Sequence, residues 1–241
     1  MSSHLVQAIS ETPIFEGLPP ERVGRVAAIF TVRTYERGEQ ILGPHDPTDR
    51  TFVIAAGTAR SSRSAHDGRA IAVGLLDPGD VFGRLPFSEG TVEERVEALD
   101  RCVVLRAAAG DVERLLRDEP AIAVAALAGF ARRVRESEQR LESLAFHQVP
   151  ARLARTILDL ADRYGKMTPV GVRIDLRVTH GQLAELVATT RETLTKVAGW
   201  LRSEGIVTLE RRQIRIHDYQ ALEDVAEGVR VMPGRTHRAA A

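Results

Sequence analysis

The chain has 241 residues, 33 Lys/Arg, 33 Asp/Glu and a single cysteine. With Cys102 alone there is no intrachain disulfide framework and no four-cysteine zinc or iron–sulfur site, and no apolar run approaches the roughly 20 residues that cross a bilayer. The start MSSHLVQAIS lacks the basic end and apolar core of a secretory signal, so a cytoplasmic protein without a membrane partner is expected.

Residues 5–30 read as two helical pieces interrupted by Thr12, Pro13, Gly17, Pro19 and Pro20; Val23, Val26, Ala27 and Phe30 fall on one face of the second. From Thr31 the apolar period changes to two. The runs VRTYERGEQIL, TFVIAAGTARSS, RAIAVGLLDPGDVFG and RVEALDRCVVLRA are short and β-rich, with glycine at almost every turn. Many short strands of this kind predict a jelly-roll or barrel with an interior for side chains or a small ligand.

The helical period returns after Arg106, first over Gly110 to Asp118 and then from about Ala121 to His147. Along the longer stretch Ala123, Leu127, Phe130, Val134, Ser137, Leu141 and Leu144 recur at alternating steps of four and three. Charged side chains, among them Arg132, Arg133, Arg135, Glu136, Glu138 and Arg140, fill the other faces. So narrow a heptad seam predicts pairing with a second copy of itself, the competing reading being a stripe packed on its own barrel.

Val149 and Pro150 mark a boundary, after which residues 150–164 form an amphipathic helix through Leu153, Ile157, Leu158 and Leu160, ended by Gly165. RIDLRVT is expected as a strand leading into THGQLAELVATTRETLTKVAGWLRSE, Thr179 to Glu204, two short helices around a tight turn. Thr179 and Gln182 have the spacing of a reciprocal cap, and Glu192 is expected to close a similar one from Thr189 or Thr190. Leu194, Val197, Ala198 and Leu201 form the buried stripe of the second helix, leaving Arg191, Glu192, Thr193 and Lys196 at its exposed start. Arg and Lys donate to guanine O6 and N7 and Glu accepts from cytosine N4, which points to double-stranded DNA as the partner; a solvated charged helix is the alternative. IVTLE and QIRIHD form a hairpin with Arg211 and Arg212 at its tip, facing phosphate, and a short helix around Tyr219 to Glu227 precedes a loose tail.

Charge divides the same way. Residues 1–146 hold 18 basic against 22 acidic side chains, whereas residues 147–241 hold 15 against 11 together with four histidines. The positive half contains the helix pair, as a polyanion-binding module requires.

The order of barrel, seam helix and helix-turn-helix resembles the CRP/FNR family of bacterial transcription regulators over roughly residues 10–225. VTHGQLAELVATTRETLTKVAGWLRSEGIV is similar to the family's helix-turn-helix, ARRVRESEQRLESLAF to the end of its dimerisation helix, and DPGDVFGRLPF to its effector cassette. The fold implied is α+β: a β-roll or jelly-roll, cyclic-nucleotide-binding-like sensor domain over 1–119, a dimerisation helix and hinge over 120–148, a winged helix-turn-helix domain over 149–227, and a tail over 228–241. In the catabolite-activator branch that Arg-Glu-Thr-x-x-Lys resembles, Arg191 and Lys196 would read guanine edges, Glu192 a cytosine, and Thr179, His180, Thr190 and Thr193 phosphates. The implied target is a TGTGA-like palindrome read by a homodimer that also meets RNA polymerase through an exposed loop at Lys166 to Gly171, and the implied function is regulation without catalysis.

Two departures from the family pattern stand out. Ala188 occupies a turn position where glycine is common. In the cassette, the family's ribose-binding Glu is replaced by Arg84, and its phosphate-binding Arg-Ser pair falls at Val92 and Glu93, with Glu94 adjacent. An anionic phosphate would be repelled there, so ordinary cyclic AMP is disfavoured as effector; Gly83, Arg84, Leu85, Arg95, Ser137 and Glu138 remain the pocket candidates for cyclic AMP or some other small molecule. No resident cofactor is expected: Cys102 sits in a strand, and His45 and His66 lie in loops without paired spacing, which argues against haem. A metal-dependent cupin enzyme is the remote alternative, but it needs clustered His and Glu ligands that the sequence lacks.

Overall fold

The computed structural model describes residues 3–44, 46, 49–64, 70–86, 94–210 and 212–233. His45, His66, Val92, Glu93 and Arg211 therefore lie outside the described residues. The chain divides into two compact units, Met1–Gln139 and Arg140–Ala241.

The first unit opens with α1 (Ser3–Ser10), a 3-10 turn at Pro13–Phe15 and α2 (Pro20–Ile29). Among the described residues eight strands follow: β1 (Thr31–Tyr35), β2 (Gln40–Leu42), β3 (Arg50–Ala56), β4 (Ala59–Ser64), β5 (Ala70–Leu76), β6 (Val81–Gly83), β7 (Arg95–Ala98) and β8 (Cys102–Ala108). They form two antiparallel four-stranded sheets, ordered β1-β8-β3-β6 and β2-β7-β4-β5. Side-chain alternation sorts them into two cores. Phe52, Ile54, Cys102 and Val104 point to one side of the first sheet and meet Ala59, Leu76, Val96 and Ala98 of the second. Val53, Ala55, Leu105 and Ala107 point to the other side and pack against α1, α2, α3 (Ala109–Asp118) and the start of α4 (Pro120–Phe146). Burial on both faces is why TFVIAA reads as a continuous apolar run rather than an alternating one.

Cys102 is an ordinary member of the first core. It is fully buried, and burial pushes its thiol up to about 12, which leaves it protonated and inert at neutral pH.

In the second unit α5 (Val149–Tyr164) is followed by β9 (Gly165–Thr168), β10 (Gly171–Ile174), α6 (His180–Val187), α7 (Arg191–Ser203), β11 (Val207–Glu210), β12 (Gln213–Ile216) and α8 (Tyr219–Ala226). The four strands form one antiparallel sheet in the order β11-β12-β10-β9. Leu153, Ile157, Ile174, Leu183, Leu194, Leu201, Ile206 and Leu222 are each 1% exposed or less and make the core.

Two sequence expectations need correction here. Lys166 to Gly171 is not a free loop: β9 pairs with β10, Lys166 opposite Arg173 and Met167 opposite Val172. RIDLRVT is not one strand, because the ladder ends at Ile174. The Asp175 N–H turns to the Tyr164 carbonyl at 2.8 Å, and Leu176 and Val178 are buried outside the ladder, past a bend at Leu176.

Candidate nucleic-acid interface and effector cassette

The helix pair is set by its caps. Thr179 Oγ1 accepts from the Gln182 N–H at 3.1 Å, and the Thr179 N–H donates to Gln182 Oε1 at 2.9 Å, so the reciprocal cap expected from the spacing forms. α6 then ends on Ala188 at φ 52° and ψ 58°, the left-handed conformation that an L side chain resists. The turn forms with alanine in place of the more common glycine, and the strain should be measurable. Ala188→Gly should stabilise the protein by about 0.5–1 kcal/mol, a rise of a few degrees in the thermal midpoint. An unchanged or lower midpoint would mean that the turn carries no strain.

At α7 the cap differs from the expectation. Thr190 is the cap residue, and its Oγ1 accepts from the Thr193 N–H at 3.2 Å. Glu192 therefore sits one position too early for a reciprocal cap, which would have needed Thr189 as the capping residue. Its carboxylate is held below the usual range, first by its own backbone N–H and then by the Thr190 hydroxyl, with Arg191 adding a smaller pull. It is a charged acceptor at neutral pH, the form that accepts a hydrogen bond from cytosine N4.

Leu194, Val197, Ala198 and Leu201 are buried, so the opposite face of α7 presents Arg191, Glu192, Thr195 and Lys196 to solvent. Thr195 was not singled out by its sequence, although its place four residues after Arg191 puts it on that face. Its hydroxyl donates to the Arg191 carbonyl at 2.8 Å and lies 3.3 Å from His180 Nδ1, tying the start of α6 to α7. Thr179 and Thr190 use their hydroxyl oxygens as caps, and the half-buried Thr193 accepts at Oγ1 from the Thr190 hydroxyl at 3.1 Å. Arg212, at φ 69°, marks the turn between β11 and β12.

Arg152 on α5 is a further member of the site that its sequence does not announce. Its guanidinium donates from Nε to the Val187 carbonyl at 3.0 Å, from Nη2 to the Ala188 carbonyl at 3.1 Å and from Nη1 to the His147 carbonyl at 3.1 Å. Two of these acceptors are the last carbonyls of α6, which have no partner within their own helix. Arg152 thus clamps the turn of the helix pair to the residue just after α4. Nothing in the local sequence distinguishes it from the other arginines of α5.

The cassette lies on β6. Gly83 pairs with Thr51 at φ 80°, and a Cβ there would lie 2.6 Å from the Phe52 ring and 2.9 Å from the Arg50 carbonyl, so only glycine fits. Arg84 continues the pairing through its backbone: its N–H donates to the Arg50 carbonyl and its carbonyl accepts from Thr51 Oγ1. Leu85 packs against the core beneath the helices rather than facing a pocket. Arg95, at the start of β7, is exposed. The group that joins the two sheets here is Glu94, whose Oε1 accepts from the Gly83 N–H at 3.1 Å and whose Oε2 accepts from Ser61 Oγ at 2.7 Å.

α4 meets the cassette through residues other than those singled out for it. Arg132 is paired with the buried Asp80, and Arg133 Nη1 donates to the Val81 carbonyl at 2.8 Å, whereas Ser137 and Glu138 are exposed. Of the seam residues, Phe130 packs inward against the helical core, while Leu127, Val134, Leu141 and Leu144 stand between 41% and 67% exposed. The two readings of the stripe are thus divided between its members: part closes the barrel's own core, and part is an uncovered apolar row.

Comparison with known proteins agrees with this geometry. Residues 32–119 match the model of a cyclic nucleotide-binding domain, and residues 151–225 match that of a Crp-like helix-turn-helix domain. The global nitrogen regulator of Synechocystis sp. is 31% identical over 204 residues, covering 83% of this chain and 91% of the relative. The cyclic AMP receptor protein of Thermus thermophilus is 30% identical over 219 residues, covering 90% and 98%. The CRP-like cAMP-activated global transcriptional regulator of Mycobacterium tuberculosis is 29% identical over 220 residues, covering 90% and 97%. Among solved structures, a CRP-family transcriptional regulator from Thermus thermophilus aligns at a TM-score of 0.71 and 26% identity, over 81% of this chain and 96% of that one. A CooA mutant from Carboxydothermus hydrogenoformans shares the fold at 0.75 and 19% identity, over 90% and 97%.

Proposed function

Because the chain belongs to the CRP/FNR family of DNA-binding transcription regulators, we propose that it acts as a homodimer reading a TGTGA-like palindrome and needs no cyclic AMP to do so. Recognition is assigned to the first turns of α7, where Arg191, Glu192 and Lys196 are exposed together at the capped end of the helix. Two subunits would then meet successive major grooves one helical turn apart and bend the duplex between them. Phosphate contacts fall to Thr179, His180, Thr190 and Thr193 and to Arg211 and Arg212. No catalytic step and no resident cofactor is assigned, and the protein works in the cytoplasm.

The exposed row Leu127, Val134, Leu141 and Leu144 supports a paired α4. Light scattering at micromolar concentration should return twice the chain mass, and Leu141→Arg should return a single chain. A wild-type monomer would overturn the pairing. The β9–β10 hairpin, with Met167 and Val170 exposed, is assigned to RNA polymerase, and activation to that contact.

Independence from cyclic AMP rests on the cassette: no cation stands at the phosphate positions in the sequence, and the Gly83 N–H is already taken by Glu94. The second reading is cyclic-AMP-dependent activation. It is favoured by the names of the Mycobacterium tuberculosis and Thermus thermophilus relatives, one cAMP-activated and the other a cyclic AMP receptor. Fluorescence anisotropy on a labelled TGTGA-type palindrome against scrambled DNA, with and without cyclic AMP, separates the two. Specific binding without the nucleotide is the expected result; binding only in its presence would establish the second reading.

A further inference from the structure

We propose that Glu94 is the resident ligand of the cassette: its carboxylate fills an oxyanion seat, formed by the Gly83 N–H and the Ser61 hydroxyl, that would otherwise take the anionic group of a small molecule. The inference rests on the effector-independent reading above and supplies its cause.

The seat is built from both sheets. Ser61 is on β4 and fully buried, and Gly83 ends β6 in the other sheet. A buried hydroxyl and a strand-end N–H, brought together and aimed at one point, make an anion-binding pair. Each takes one oxygen of the same carboxylate, at 2.7 Å and 3.1 Å. Glu94 reaches them from the residue before β7, so the chain itself ties the two sheets together where a bound anion would tie them. The positive φ of Gly83 and the close approach of Phe52 and Arg50 fix the direction of that N–H. Arg95, the next residue, is exposed and accepts at its carbonyl from Ser62 Oγ at 3.4 Å, so it follows the β4–β7 ladder.

The same short strand is held from its other end. Asp80, directly before β6, is buried and paired with Arg132, and the Val81 carbonyl accepts from Arg133. β6 is therefore fixed by Glu94 at Gly83 and by two arginines of α4 at Asp80 and Val81. Self-occupation of the seat keeps β6, and the stretch of α4 bound to it, in one arrangement without an external ligand.

Isothermal titration of the full-length protein tests this, with cyclic AMP as the anionic probe and adenosine as the uncharged control. Wild type should bind neither at millimolar concentration. Glu94→Ala should acquire cyclic AMP binding at least about tenfold tighter than wild type, without a matching gain for adenosine, because the seat is vacated and a repelling charge removed. Glu94→Gln keeps the side-chain volume and removes the charge, so it should gain affinity in the same direction even if the alanine variant folds poorly. Adding Ser61→Ala to either should abolish the gain. If wild type and both Glu94 variants bind cyclic AMP equally well, the resident-ligand assignment fails; the effector-independent reading fails with it only when wild type also reads DNA solely in the presence of the nucleotide. If none of them binds while wild type still reads DNA without nucleotide, only the resident-ligand assignment fails.

Discussion

Arg152→Ala is expected to lower the stability of the C-terminal unit by about 2–4 kcal/mol, among the largest effects of any single substitution away from its apolar core. One guanidinium satisfies the carbonyls of His147, Val187 and Ala188, and the last two close a turn that already holds an alanine in left-handed geometry. Hydrogen bonds from a charged donor contribute about 1.5–3 kcal/mol each when buried, and the half-buried position of Arg152 lets water recover part of that. Burial lowers the pKa of this guanidinium, but arginine remains protonated throughout the working pH range, so the clamp should show no pH dependence near neutrality. Urea unfolding followed through Trp200 measures the loss. Lysine at the same position should recover little, because a single ammonium does not span three carbonyls as a planar fork does. A change below about 0.5 kcal/mol would show that water replaces the clamp completely. The clamp also bears on DNA: once the turn loosens, α6 no longer positions α7, so affinity should fall for cognate and scrambled duplexes alike.

Arg191→Ala should behave differently, losing about 1–3 kcal/mol of binding energy on the cognate palindrome, roughly 5- to 150-fold, with unchanged folding stability. The side chain is exposed at the first position of α7 and lies opposite the buried stripe, so removing it leaves no cavity and takes from the free protein only its small pull on the exposed Glu192 carboxylate. Competition anisotropy across a panel of singly substituted palindromes should show discrimination relaxed at one base pair per half-site. Equal loss on every sequence, with a salt dependence shallower by about one phosphate contact, would instead reassign Arg191 to the backbone. The two substitutions are therefore distinguishable by the measurement each moves: Arg152 changes the unfolding curve, Arg191 the sequence preference.

Helix α7 was legible in the sequence because its determinants are local. Spacing of i, i+3, i+4 and i+7 fixes the buried stripe at Leu194, Val197, Ala198 and Leu201, and the exposed face follows by subtraction. The cap of α6 was legible for the same reason, since Thr179 and Gln182 are three residues apart. At α7 two threonines in succession left the capping residue open, and backbone geometry chose Thr190. The apolar run TFVIAA announced a strand but not that it would be covered by a sheet on one side and helices on the other.

The cassette marks the limit of what the chain order can say. Arg84 and the acidic run at Glu93 and Glu94 carried the expectation that a cyclic nucleotide meets the wrong charges. Where the carboxylate goes was not legible, because Ser61 and Gly83 lie 33 and 11 residues from Glu94 and meet it only when two sheets close on each other. Likewise, the seam pattern of α4 was written in its heptads, while the assignment of Phe130 to the chain's own core, and of Arg132 and Arg133 to Asp80 and Val81, depended on which face the barrel covers. What the sequence determined by itself was the family, the order of the elements and the exposed face of α7, all of which rest on periodicity and on side chains within a helical turn of one another. What only the tertiary structure decided was the Glu94 seat and the Arg152 clamp, because each depends on donors and acceptors far apart in the chain whose desolvation and hydrogen bonding are settled when separate elements pack.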